Sequence, residues 1–179
     1  MKAALIFTVT TLAALSAISH AQQDAQPQQP AQAGAQQRKP CIADAYRQFD
    51  FWVGNWEVFD PSGKRVGSNR IERAHGGCAL IESWQGNGGL SGTSLNIHDR
   101  SDGLWHQTWV DSSGTRLSLS GGMEGQSMVM KSAASNTGPV NRISWEPLVG
   151  GKVRQLWETS ADGGKTWVTA FDGLYVPQR

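Results

Sequence analysis

The sequence predicts an all-β fold, an antiparallel up-and-down barrel of about ten strands, and three observations carry that prediction. After Tyr46, short runs in which Val, Ile, Leu, Thr or Trp alternate with other residues recur roughly every dozen positions, the period-2 signature of strands with one buried face. Gly, Asn, Asp or Ser bounds each run. The connections are short, as in Asp60-Pro61-Ser62-Gly63, Gly86-Asn87-Gly88-Gly89, Ser101-Asp102-Gly103, Ser112-Ser113-Gly114 and Ala161-Asp162-Gly163-Gly164, and links of this length join antiparallel neighbours only. A meander this long loses its exposed edges by closing on itself, which favours a barrel over an open sheet.

The elements follow in order. Met1-Lys2 precedes an uncharged stretch, 3–18, that ends in Ser19-His20-Ala21, the layout of a signal peptide cleaved after Ala21. The stretch is shorter than the roughly 20 apolar residues of a membrane span, and Thr8, Thr10, Thr11 and Ser16 dilute it. Residues 22–39 are almost entirely Gln, Ala and Pro, too poor in apolar surface to offset the entropy of ordering, and are expected to form a disordered linker. Residues 40–179 are left as one domain. The predicted strands span 52–59, 66–74, 78–84, 93–99, 104–111, 116–120, 127–131, 142–147, 153–159 and 166–176, with 43–49 as a short helical lid or plug.

Composition narrows the function. The formal charge of +1 falls towards zero once Lys2 leaves, so neither nucleic acid nor membrane insertion of the mature chain is expected. Cys41 and Cys78 are the only cysteines, and in an exported chain a lone pair reads as a disulfide. Periplasmic or secreted localisation follows from both features. No Gly-x-Ser-x-Gly, His-Glu-x-x-His, Cys-x-x-Cys or phosphate-cradling motif is present. With the turn at 100–103, His98 faces Trp105 and His106 faces Ile97, which puts the two strand histidines on opposite sides of the sheet, and no metal is expected.

The segment Phe49-Asp50-Phe51-Trp52-Val53-Gly54-Asn55-Trp56-Glu57-Val58 resembles the first strand of a calycin-like barrel, whose lipocalin members open with Gly-x-Trp, here Gly54 and Trp56. Together with Ser94-Leu95-Asn96-Ile97-His98, the stretch 105–111 and the stretch 154–159, it is similar to a bacterial family of exported, lipocalin-like domains of unknown function. The resemblance implies a barrel that holds a small apolar or amphipathic ligand. Nitrobindin-like relatives hold haem through a histidine near the C-terminus. No histidine follows His106 here, so no cofactor is expected. Residues 160–167 also fit an Asp-box, Ser-x-Asp-x-Gly-x-Thr-Trp, which in a chain too short for a propeller reads as a self-contained turn.

The same register places Ser94, Asn96, His98, Trp105, Gln107 and Trp109 on one face and Leu95, Ile97, His106, Thr108 and Val110 on the other. Which face is the lumen stays open, because a solvated outer face alternates in the same way. Trp56, Trp84 and Trp109 are candidates to stack on a ligand, Asn96 and Gln107 to hydrogen-bond it, and Arg154, on the same face as Glu158, to clamp it or to form a latch with that carboxylate. Glu82, between Leu80 and Trp84 on one face, is a candidate buried carboxyl with a raised pKa. Three functions fit: a barrel binding a small apolar or aromatic molecule, an enzyme using Glu82 or His98 for proton transfer, or a packed envelope interaction module.

Overall fold

A computed structural model describes residues 41–134 and 138–178; the expected signal peptide and linker lie outside them. Ten antiparallel strands form a closed barrel in sequence order: β1 (Gly54–Phe59), β2 (Arg65–Ala74), β3 (Ala79–Gly86), β4 (Ser91–Asp99), β5 (Leu104–Asp111), β6 (Arg116–Glu124), β7 (Ser127–Lys131), β8 (Val140–Leu148), β9 (Lys152–Ser160) and β10 (Val168–Pro177). Pairing of Trp56 with Pro177 and of Phe59 with Leu174 joins β10 to β1 and removes the last edge. A closed meander is therefore the outcome, as the short connections predict.

Most strand ends differ from the expected ones by one or two residues and β6 runs four residues further, to Glu124; the late starts of β1 and β10 each have a local reason. β1 starts at Gly54 because Asp50–Trp52 folds as a 3-10 turn, following a first one at Asp44–Arg47. β10 starts at Val168 because residues 160–167 are consumed by the Asp-box turn. Asp162 Oδ1 accepts the backbone N–H groups of Lys165 and Thr166, each at 2.9 Å, and Gly163 and Gly164 both have positive φ. The Trp167 indole donates to the Gly164 carbonyl at 3.1 Å. The motif is a turn held by one carboxylate.

The strands alternate ends, so the barrel has two different mouths. At one, where β2–β3, β4–β5, β6–β7 and β8–β9 connect, the segment before β1 folds in as a plug. Phe49 and Trp52, both fully buried, stack on each other at 4.8 Å and pack against Trp145 and, through Phe49, Trp105. The Cys41–Cys78 disulfide fastens this segment to the β2–β3 connection, where Arg47 also donates to the Gly77 carbonyl and Asp50 pairs with Arg73 at 2.7 Å. Closing a 37-residue separation stabilises by about 3 to 4 kcal/mol in the chain-entropy model.

The lumen face is settled by burial. Ser94, Asn96, Trp105 and Gln107 are buried, whereas Leu95 and Val110 on the opposite face are 47% and 49% exposed. The polar-aromatic face points inward and the aliphatic face outward, the reverse of a simple oily core. β4 pairs with β5 in the expected register, His98 opposite Trp105 and Ile97 opposite His106.

Candidate functional site

The half of the lumen away from the plug is hollow. A cavity of about 260 Å³ opens at the end where β1–β2, β3–β4, β5–β6, β7–β8 and β9–β10 connect. Trp84, Trp109, Trp157 and Phe171 form its walls with Leu117 and Ile143, and Leu90, 42% exposed, stands at its mouth. Glu82, Gln107, Gln155 and Tyr175 supply its polar surface.

The walls keep their shape because glycines in the strands seat the rings. A Cβ on Gly67 would stand 2.6 Å from the Trp84 ring, one on Gly173 would stand 2.6 Å from the Phe171 ring, and one on Gly92 would overlap the Trp109 ring. The indoles can therefore lie flat against backbone instead of projecting into the lumen. Polar anchors fix their edges: Trp109 Nε1 donates to Asp111 at 3.0 Å and Trp157 Nε1 donates to Asn141 at 2.8 Å. The Ser113 hydroxyl and then the Trp109 indole hold the Asp111 carboxyl down at about 2, so this anchor stays charged. Trp84 and Phe171 meet edge to face, 6.0 Å apart.

A hydrogen-bond network runs beneath the walls. Glu82 accepts from Asn69 Nδ2 at 2.7 Å and from Ser94 Oγ at 2.5 Å. Asn96 Nδ2 donates to Ser94 Oγ at 2.9 Å, and Gln107 Nε2 donates to Asn96 Oδ1 at 2.8 Å. Asn69 also reaches the Tyr175 hydroxyl at 3.2 Å, and that hydroxyl donates to Gln155 Oε1. Burial pushes the Glu82 carboxyl above its ordinary range, against the hydrogen bonds from Ser94 and Asn69, and burial likewise raises the Tyr175 phenol. No Lys, Arg or His pairs with Glu82 among the described residues.

Of the residues singled out from sequence, Glu82, Trp84, Gln107 and Trp109 line this one cavity and Asn96 lies in the network directly behind it. Trp56 does not line it: buried in the core, it donates to the Trp52 carbonyl at 2.9 Å. His98 lies towards the plug, edge to face with Tyr46 at 5.1 Å, its Nε2 3.1 Å from the Gly103 carbonyl. Arg154 is on the outer surface and pairs with Asp172 through two contacts at 2.7 and 2.9 Å. The expected latch with Glu158 does not form, because Glu158 is taken by Arg142 at 2.8 Å. Gly67, Gly92, Gly121 and Gly173 lie within strands.

Tyr175, Asn69, Gln155, Trp157 and Phe171 complete the site and were not selected from sequence. For Gln155 and Trp157 the signal was present, since Val153, Gln155 and Trp157 alternate on one face of β9. For Phe171 it was hidden by an irregularity between Thr169 and Phe171, which breaks the alternation that would assign β10 residues to a face.

Asp99, Asp102 and His106 bring two carboxylates and an imidazole together on the outside of the β4–β5 turn. Both carboxylates are already engaged, Asp99 by the Ser101 N–H at 2.8 Å and Asp102 by the Leu104 N–H at 3.0 Å and the His106 ring at 2.8 Å. The group acts as a turn cap.

Searched against protein-family models and curated proteins, the chain matches none. The closed barrel agrees with the calycin-like architecture that the Gly54-x-Trp56 resemblance implies, and the site has to be interpreted from its own geometry.

Proposed function

We propose that this protein is an exported small-molecule-binding barrel that holds an apolar or aromatic ligand in the open half of its lumen. The observation that carries the reading is the cavity of about 260 Å³ with three tryptophans and a phenylalanine in its walls and a few polar side chains at its inner surface. Apolar walls with a small number of placed polar groups are the usual composition of ligand pockets. Glycine seats and indole anchors hold the walls in position without the ligand, which lowers the ordering cost of binding. The hollow lumen favours this reading over a packed interaction module. The formed disulfide agrees with an extracytoplasmic location.

Purification from the native envelope fraction, followed by solvent extraction and mass spectrometry of the extract, tests the proposal. A stoichiometric small molecule, with altered tryptophan emission after its removal, is the expected result. An empty extract with unchanged emission contradicts it.

A further inference from the structure

Taking the cavity as a ligand site, we infer that its ligand is an organic cation, a protonated amine on an apolar or aromatic body, with the ammonium set against Glu82 and the surrounding aromatic faces. Among the described residues Glu82 is the only acidic or basic side chain that lines the cavity, and an anionic ligand would find no counter-charge there. Two of the three wall indoles keep their donors out of the lumen. The Trp109 and Trp157 N–H groups are spent on Asp111 and Asn141, outside the set of cavity-lining residues, so these indoles present to the lumen the negative face that attracts a cation.

The polar floor is also matched to a donor-rich ligand. Gln107 gives its Nε2 to Asn96, which leaves the amide oxygen without a donor among the described residues. Both Glu82 oxygens are held by hydroxyl or amide groups, an arrangement that orients the carboxylate. Half a turn of the Asn69 amide would let the same side chain accept from the acid instead of donating to the carboxylate. Asn69 Oδ1 is buried without a partner, so such a turn exchanges one unpaired atom for another. The site can thus hold Glu82 in either charge state.

Binding an ammonium favours the carboxylate, so at any pH where the empty protein keeps Glu82 protonated, that proton passes to solvent as the cation enters. Asn69 on β2, Ser94 on β4 and Tyr175 on β10 are the groups that face Glu82, and only Tyr175 among them titrates. Burial holds that phenol well above its ordinary value, which leaves Glu82 as the group whose charge changes. Amine affinity then rises with pH as the carboxyl of the empty protein ionises.

Calorimetric titration with three probes that share one body, 1-naphthylmethylamine, 1-naphthalenemethanol and 1-naphthoate, tests the inference. The amine is expected to bind at least about tenfold more tightly than the alcohol, the carboxylate not at all, and amine binding to release a proton, seen by comparing buffers of different ionisation enthalpy. Glu82→Gln is expected to erase the amine preference and the proton release. An alcohol that binds as tightly as the amine overturns the inference and leaves the ligand pocket standing, as does a Glu82→Gln variant that keeps the preference. Failure of all three probes overturns both. The wild-type comparison decides the matter even if Glu82→Gln does not fold.

Discussion

The two ends of the barrel use the same residue type for opposite purposes. At the plugged end Trp52, Trp105 and Trp145 are fully buried and pack on Phe49 to fill the lumen. At the open end Trp84, Trp109 and Trp157 are only partly buried and line a space. What differs is the backing of the rings. The N-terminal segment thrusts two aromatic side chains into the closed end, whereas Gly67, Gly92 and Gly173 let rings lie back against the wall of the other. An indole stabilises by filling and recognises by lining, and its neighbours decide which.

The largest expected effect separates the two ends. Trp52→Ala should cost about 3 to 5 kcal/mol in urea unfolding, as large-to-small changes in a packed core do, while Trp109→Ala, at a partly exposed wall, should cost about 1 kcal/mol and abolish ligand binding. Equal losses at both positions would erase the distinction. Replacing Cys41 and Cys78 together by Ser comes next, with a loss of about 3 to 4 kcal/mol and unchanged ligand affinity, because the bridge lies at the plugged end. A parallel loss of affinity would show that the ends are coupled.

Gly92→Ala sharpens the comparison within the open end. Its methyl group would overlap the Trp109 ring and drive it into the cavity, so a stability loss of about 1 to 3 kcal/mol should accompany a larger fractional loss of ligand affinity. The smallest effect belongs to Arg154→Met. Its ion pair with Asp172 is at the surface, Arg154 being 44% exposed, so at most about 1 kcal/mol should be lost and binding should not change.

Alternation and short turns made the barrel legible from sequence, including the β4–β5 register that put Asn96 opposite Gln107. The lumen face was not legible there, because alternation looks the same from either side and the exposed Leu95, Ile97 and Val110 imitate a core stripe. Arg154 illustrates a second limit: same-strand spacing places it on a face with Glu158, yet each finds a better partner across the sheet, Asp172 and Arg142. Tyr175 joins the site through a contact with Asn69, 106 residues away in sequence, which no local pattern encodes. The glycine seats were concealed by composition, since a chain with 21 glycines offers many turns to explain them.

Fluorescence titration with the neutral probe N-phenyl-1-naphthylamine tests the central claim, that the open half of the lumen is a preformed ligand chamber, most directly. Saturable one-to-one binding that quenches tryptophan emission is expected, and it should be lost in Leu117→Trp, where an added indole fills the cavity from its wall. No saturable binding, or binding that survives in the filled variant, would contradict it.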